Sequence, residues 1–307
     1  FFDKNSPIYS GMEWKYYDAL VNSKFRNELE QLRGKHLFNI AEVRLLTFQP
    51  EIIADLQKEN ELSSQYTKLT ASAKIMFEGK EYNMSSLSPL MNSQNRETRK
   101  GASKAKWKFF GENAAEFDRI YDELVQVRHK MAVTLGFENY VALGYKRMLR
   151  TDYDAKMVAN YRQQVLDVVV PVAKKLKERQ AKRIDISDFK YYDSSLTFKT
   201  GNPTPKGEPN WIVDNGKKMY EELSAETNEF VNFMLDNELM DLVTRKNKAP
   251  GGYCTYIGDY KAPFIFSNFN GTSHDINVLT HEAGHAFQVY MSRNFEAPEY
   301  HWPTYVA

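Results

Sequence analysis

The run DINVLTHEAGHAFQVY, residues 275–290, decides how this sequence folds and which chemistry it can carry. Its apolar residues recur at steps of three and four, at Ile276, Leu279, Ala283 and Ala286 or Phe287. This spacing is typical of a helix with one buried face. Thr272 and Asp275 have the spacing of a capping box, so we expect the helix to begin near them.

The same run contains an H-E-x-x-H motif, formed by His281, Glu282 and His285. Four residues are just over one helical turn, so both imidazoles project from one face and can hold a single ion. Neutral imidazole suits Zn²⁺, and a glutamate after the first ligand can act as general base for a water molecule. A chance match has a probability of about one in a hundred in a chain of this composition. The motif therefore predicts a catalytic zinc site.

Neighbouring residues refine this prediction. The metzincin pattern requires Gly at 288 and His at 291, and Gln288 and Met291 exclude that class. Asp275 lies six residues before His281, and we expect it or another polar residue near the motif helix to support the metal ligands with a hydrogen bond. We interpret Gly284 as allowing a close backbone approach near the metal, although helix packing would explain it nearly as well.

A catalytic zinc ion needs three protein ligands, and a glutamate from a following helix is a common third one. The downstream candidates are Glu296, Glu299 and His301. The two glutamates flank an Ala-Pro pair that predicts a loop, and His301 stands beside an aromatic residue. No candidate is favoured over the others.

The rest of the sequence predicts a mainly α fold with a small β-sheet next to the motif helix. Helical periodicity is found over 14–32, 40–62, 117–131, 158–176 and 219–242. We expect these apolar stripes to be core, and we expect Pro171 to kink the fourth helix. Residues 251–257 and 262–269 are rich in aromatic and β-branched side chains, which predicts two short strands.

Composition limits the function classes. Lys plus Arg number 41 and Asp plus Glu number 40, so bulk charge predicts neither a nucleic-acid nor an anionic-membrane partner. The single Cys254 favours a reducing compartment. No basic and apolar leader precedes Phe1, and no apolar stretch approaches the roughly 18 residues of a membrane span. We therefore expect a cytoplasmic protein.

Longer stretches resemble a known family. The carrying segments are GGYCTYIGDYKAPFIFSNFNGT at 251–272, DINVLTHEAGHAFQVY at 275–290 and WPTY at 302–305, with LVNSKFRNELE, YTKLTASAKIMFEGKEYN and KYYDSSL upstream. They resemble the oligoendopeptidase F branch of the thimet oligopeptidase-like zinc peptidases over nearly the whole chain. The resemblance implies a predominantly helical fold around a deep cavity. It also implies activity on short unstructured oligopeptides.

The resemblance assigns roles to residues. It implies that His281 and His285 are zinc ligands and that Glu282 is the catalytic glutamate. The strand at 251–256 looks like the one that holds the substrate backbone. This makes substrate-binding candidates of Gly251, Gly252, Tyr253, Cys254 and Thr255.

The chain also departs from the family pattern. Val306 stands where the family usually has a glutamate. The resemblance implies that the third zinc ligand, a glutamate, lies about two residues beyond Ala307, with the oxyanion-stabilising tyrosine and histidine further on. We therefore expect the 307 residues alone to bind zinc weakly and to show little or no peptidase activity.

These observations predict a zinc-dependent endopeptidase that uses Glu-assisted attack of water on the peptide bond. Residues 1–90 are expected to form an N-terminal helical region, and residues 91–307 to form part of a catalytic domain. Two alternatives remain open at this point. One is a non-catalytic helical fragment, and the other is a peptide-binding scaffold that uses the edge strand without metal chemistry.

Overall fold

A computed structural model of the protein describes residues 1–301. The fold is mainly helical with small sheets, which confirms the predicted class. The chain divides into two compact units. The first comprises Phe1–Thr67, Ala114–Val170 and the segment that begins at Glu296, and the second comprises Lys68–Asn113 and Pro171–Phe295. The expected functional boundary at residue 90 stays a prediction.

A long connection that contains a 3₁₀ turn at Tyr191–Asp193 separates the tenth and eleventh helices. The helices are α1 (Phe2–Val21), α2 (Arg26–Arg33), α3 (Lys35–Leu45), α4 (Ile53–Ala71), α5 (Ser88–Met91), α6 (Arg96–Glu112), α7 (Ala114–Thr134), α8 (Tyr140–Arg147), α9 (Ala155–Gln164), α10 (Val170–Arg183), α11 (Pro209–Leu223), α12 (Ala225–Asp236) and α13 (His274–Ser292). The strands are β1 (Ile75–Phe77), β2 (Lys80–Tyr82), β3 (Met240–Val243), β4 (Tyr253–Ile257) and β5 (Ala262–Phe269).

The two helices predicted nearest the N-terminus are each divided in the structure. The prediction over 14–32 covers parts of α1 and α2, and the prediction over 40–62 covers parts of α3 and α4. Pro50 opens a short 3₁₀ turn immediately before α4. Gln49 before it is extended, as residues before proline usually are, and this break explains why the second prediction was wrong about continuity.

The helix predicted over 117–131 is confirmed as α7. Its buried residues include Ile120, Val127 and Met131, which belong to the predicted stripe. Gly136 follows with φ +82°, a left-handed conformation that glycine adopts without a steric cost and that commonly ends helices.

The apolar stripe over 158–176 was predicted to be core, and this prediction was wrong for most of its residues. Tyr161, Val168, Val172 and Leu176 are all exposed in the described structure. The helical segment is also not uniform, because Val165–Val169 forms a π-helical turn between α9 and α10. Pro171 cannot donate to the carbonyl four residues earlier, and a locally wider helix accommodates that missing bond.

The helix predicted over 219–242 is also divided. Ser224 interrupts it and caps α12, since its Oγ accepts the Thr227 N–H. The last predicted residues form β3 instead, which pairs in parallel with β5. Pairing with a strand more than twenty residues downstream is invisible to a local helical pattern.

The two strands predicted over 251–257 and 262–269 are confirmed as β4 and β5. They pair antiparallel, with Cys254 opposite Ile265, and the sheet order is β3-β5-β4. Central β5 alternates buried and half-buried side chains, so it shares one face with the core. Strand β4 therefore lies at an edge of this sheet.

Helix α13 packs against the sheet and against α11 and α12. A core cluster joins these elements, formed by Ile212, Phe230, Met234, Leu242, Ile265, Phe269, Leu279, Ala283, Ala286 and Tyr290. Leu279, Ala283 and Ala286 confirm the predicted stripe, whereas Ile276 is exposed. Burial of one face of α13 fixes which face remains for chemistry.

A buried ion network ties α6 to the segment after α10. Asp193 is fully buried and pairs with Arg96 and Arg99, at 2.8 Å in each case. Burial alone would raise the pKa of Asp193, but hydrogen bonds from Arg96, the Lys190 backbone N–H and Arg99 outweigh it and lower the pKa to about 2. Ionised Asp193 therefore stabilises the second unit.

Within residues 1–301, none of the helices combines the length and the apolar character that a membrane span requires.

Replacing Asp193 with Asn should lower the free energy of unfolding by about 3–5 kcal/mol, because Arg99 is left buried without a counter-charge. Asp185→Asn, which breaks the exposed pair with Lys199, is the matched control and should cost less than about 1 kcal/mol. Because the folded-state pKa of Asp193 is depressed, its contribution is complete above the ordinary carboxyl range and is lost as the pH falls toward about 2. Urea unfolding curves measured between neutral and acidic pH check this, and equal losses in the two variants would contradict it.

Candidate metal centre

The chain enters α13 through a tight turn after β5. Gly271 has φ +85°, and the buried Asp275 carboxylate accepts the backbone N–H groups of Asn270 and Gly271. The predicted capping box does not form, because Thr272 donates its hydroxyl to Asn270 and the residue before the helix is Ser273. Burial raises the pKa of Asp275, although these backbone hydrogen bonds oppose it.

The two imidazoles of the motif face each other across one turn of α13. His281 Nε2 and His285 Nε2 are 3.2 Å apart, and the ring planes are nearly perpendicular at 86°. The prediction that Asp275 supports these rings is wrong, since its oxygens are bound to the turn that precedes the helix. The imidazoles thus lie on a helical face that the core leaves open.

This nitrogen pair fits a zinc ion. Zn–N bonds of 2.0–2.1 Å at the tetrahedral angle place two ligand nitrogens about 3.3–3.4 Å apart. The 3.2 Å separation in the structure is close to that value. His281 and His285 could therefore hold Zn²⁺ with little adjustment of the side chains.

A third protein ligand is not found within the described part of the chain. Among residues 1–301, no group of three or more His, Cys, Asp and Glu side chains is arranged to hold a metal ion. Two of the three downstream candidates have other partners in the first unit, since Glu296 pairs with Arg33 and Glu299 accepts a hydrogen bond from Tyr17. The WPTY run and Val306 lie outside the described residues.

A groove of about 370 Å³ opens beside the motif. It is lined by Gly252, His274, Asn277, Val278, His281 and Glu282. Glu282 is 8% exposed, so its carboxylate is sheltered next to the imidazole of His281. The lining brings one metal-ligand candidate, the general-base candidate and the start of β4 together.

The absence of a side chain at Gly252 allows this close approach. A Cβ atom there would lie 3.2 Å from Val278 Cγ1 and 3.4 Å from the Phe266 backbone oxygen. The segment before β4 is held in place by Asn268, whose amide donates to the carbonyls of Ala249 and Gly251 at 2.8 Å. Sequence reasoning missed Asn268 and Val278, because only their neighbours in space show what they do.

The other substrate-binding candidates lie along β4 and its approach. Tyr253 is exposed and stacks on Phe266 with the ring centroids 5.0 Å apart, and Thr255 is exposed. Cys254 is half-buried. Burial and the nearby charge of Glu282 raise the pKa of the Cys254 thiol to about 12. Within the described residues, β4 pairs with β5 alone, so its other edge offers backbone groups.

Gly284 does not have the role we expected. A Cβ atom built at Gly284 meets no atom of residues 1–301 within 4 Å, so none of their backbone or side-chain groups approaches closely there. Both interpretations, close approach near the metal and helix packing, are wrong for the described structure.

With this geometry in place, comparison with known proteins decides the family. The family model described as Peptidase family M3 matches residues 89–304, and the Peptidase M3 N-terminal domain matches residues 1–48. The chain belongs to peptidase family M3. This confirms the resemblance that the sequence motifs carry.

Individual M3 relatives agree. Oligoendopeptidase F, chromosomal, of Lactococcus lactis subsp. cremoris is 28% identical over 224 residues, which cover 66% of this chain and 33% of that protein. A Bacillus anthracis str. Ames structure that carries the name oligoendopeptidase F is 63% identical with a TM-score of 0.97, over 99% of this chain and 56% of that one. PZ peptidase A, solved with an inhibitor, is 60% identical with a TM-score of 0.98, over 99% and 54%.

The chain therefore spans a third of the Lactococcus protein and little more than half of each of these solved M3 relatives. The identity and the TM-scores show that this chain has the fold of oligoendopeptidase F and is homologous to it over the matched residues.

Gly284→Ala should raise the free energy of unfolding of the metal-free protein by about 0.5–1 kcal/mol, because alanine loses less backbone entropy in a helix and its methyl group meets open space. Gly216→Ala on α11 is the matched control, since its Cβ would lie 3.2 Å from Leu279 Cδ2 and part of the gain should be lost to crowding. Urea unfolding of both variants measures the difference. A loss of stability in Gly284→Ala would mean that the site is not open.

Proposed function

We propose that this chain carries the metal-binding part of a zinc-dependent endopeptidase that hydrolyses peptide bonds in short unstructured oligopeptides. The observation that carries the proposal is the pair of imidazole nitrogens 3.2 Å apart, of which His281 shares a groove with the sheltered Glu282. Membership of peptidase family M3 supports a peptidase, and it does not favour a non-catalytic scaffold. We assign residues 91–307 to the catalytic region, and residues 1–90 to an N-terminal helical region.

Each residue of the motif has a separate role in this proposal. His281 and His285 hold the metal through their Nε2 atoms, as their separation permits. When bound, Zn²⁺ would act as a Lewis acid and would lower the pKa of a water molecule to about 7. The Glu282 carboxylate would accept a proton as the water oxygen bonds to the peptide carbonyl carbon, and would pass it to the amine nitrogen as the C–N bond breaks. Burial of Glu282 keeps the carboxylate in place for both transfers.

The third ligand belongs outside the described residues in this proposal. Catalytic zinc sites in proteins commonly have three protein ligands and one open position. The family resemblance points to a glutamate on a helix that follows the motif. Its carboxylate would complete a His₂Glu set.

The peptide substrate is proposed to lie along β4. An extended peptide can add to an exposed sheet edge through backbone hydrogen bonds, which read no particular sequence. The candidates from Gly251 to Thr255 provide that edge, and Gly252 brings it to the groove that contains Glu282. The structure of PZ peptidase A with an inhibitor supports the idea that a protein of this fold binds a ligand. The single cysteine supports a reducing compartment, and we propose the cytoplasm.

In the natural protein that contains this sequence, Glu282→Gln should lower kcat by at least about 100-fold while zinc binding survives. The amide is nearly the same size as the carboxylate but cannot accept the proton. His281→Ala should instead lose the metal, because one imidazole remains of the pair. Cleavage of a quenched fluorescent oligopeptide and metal analysis of the purified proteins measure the two effects. Wild-type cleavage by Glu282→Gln would refute the proposal.

Gly252→Ala tests the peptide-binding edge separately from the metal. The added methyl group would crowd Val278 and the Phe266 carbonyl, so KM should rise about tenfold, equivalent to roughly 1.4 kcal/mol. Zinc affinity should stay at the wild-type value, because the imidazoles do not move. Gly258→Ala is the matched control, as its Cβ would have only an ordinary contact at 4.0 Å. An unchanged KM in Gly252→Ala would place the substrate elsewhere.

A further inference from the structure

The buried acid at the start of the metal-ligand helix is not used by the proposed reaction. Asp275 is 2% exposed, and its carboxylate oxygens accept the N–H of Asn270 at 3.1 Å and the N–H of Gly271 at 2.8 Å. These donors belong to the turn between β5 and α13. Burial of a carboxylate destabilises the folded state unless its oxygens are hydrogen-bonded. We therefore asked what Asp275 contributes to the fold or to the site.

The side chain of Asn270 extends this contact to the rest of the second unit. Its Oδ1 accepts the Thr272 hydroxyl at 2.8 Å, and its Nδ2 donates to the Ser85 carbonyl at 2.9 Å. The Ser85 backbone N–H is bound in turn by Asn83, whose amide also donates to the Arg245 carbonyl just after β3. The turn is thereby connected to a second chain segment and to the central sheet.

Helix geometry shows that Asp275 cannot act on the imidazoles directly. Six residues separate it from His281, which corresponds to about 9 Å along the helix and about 120° around it. Any influence must pass through the orientation of α13 as a rigid element. The first turn of a helix is the part whose anchoring sets that orientation.

We propose that Asp275 and Asn270 form a positioning clamp that fixes the rotation of α13 against β5, and so aligns His281 and Glu282 with the peptide edge of β4. This inference rests on the proposed function and adds two positioning residues to it. Strand β5 connects the two sides, because it pairs with β4 and its C-terminal end leads into the clamped turn. Without the clamp, Glu282 and the peptide edge of β4 are both still present, but Glu282 should be misplaced relative to the bound peptide.

Asp275→Asn tests the clamp, since it keeps the size of the side chain but turns one acceptor oxygen into a donor that faces backbone N–H groups. In the metal-free protein, hydrogen exchange at the amides of Asn270 and Gly271 should accelerate while the helix content is kept. In the zinc-loaded natural protein, kcat should fall about 10- to 100-fold and KM should change less than about threefold, because small misplacements act on the chemical step. Zinc affinity, measured by competition with a chelator, should change less than about threefold, because both imidazoles turn together with α13 and keep their separation.

Two further variants keep the test decisive. Asn270→Ala removes the bonds to Ser85 and Thr272 but keeps the carboxylate, and kcat should fall about three- to tenfold. Asp214→Asn, at an exposed position on α11, is the control and should match the wild type in every measurement. The clamp is refuted if Asp275→Asn exchanges faster at the turn yet keeps the wild-type kcat. It is also refuted if Asp275→Asn fails to fold and Asn270→Ala behaves as wild type, because the role is then structural alone.

Failure of the proposed function would give a different result. If Glu282→Gln retained full activity, the proposed reaction would be wrong, whatever the exchange rates at Asn270 and Gly271. If Glu282→Gln is inactive and both clamp variants are fully active, the reaction stands and the clamp does not.

Discussion

The packing of α13 on the sheet is the constraint on which the rest of the site depends. Leu279, Ala283 and Ala286 are buried against β5 and its neighbouring helices, so packing sets which face of α13 is turned to the core. Burial of apolar surface provides about 25 cal/mol per Å², and a rotation that exposed this face would lose it. With that face turned inward, the imidazoles face outward and Glu282 is sheltered at the border between the two faces.

The same packing brings the peptide-binding candidates to the motif. Strand β5 touches α13 on one face and pairs with β4 along one edge. Gly252 then lies close to Val278 because it has no side chain. One small sheet thus places an exposed backbone edge next to a metal-ligand pair, an arrangement that suits hydrolysis of an extended peptide.

Two buried acids in the second unit show how environment gives different roles to the same side chain. Two arginines surround Asp193, and its pKa is lowered despite burial. Neutral backbone N–H groups surround Asp275, and burial raises its pKa. The first acid stabilises through charge pairing, whereas the second shapes a turn through directional hydrogen bonds. Their positions in the sequence do not distinguish them.

Local pattern was enough to predict the parts whose physics is local. Helix α7 and the helix with its H-E-x-x-H spacing follow from periodicity, because a helical turn fixes which side chains share a face. Strands β4 and β5 follow from their aromatic and β-branched residues. The family followed from the motifs, and the comparisons confirm it.

Features that depend on contacts between residues distant in the sequence were decided only by the tertiary structure. Strand β3 exists because β5 pairs with it, although its residues continue a helical pattern. Asp275 binds the turn rather than an imidazole, and Gly284 faces open space, because side-chain surroundings are set by packing. Val172 and Leu176 are likewise exposed in the described structure. Whether such residues are buried depends on the elements that pack against their helix, which the spacing of the stripe does not reveal. The sequence alone therefore determined the histidine pair of the motif and its helix, and the fold determined what stands around them.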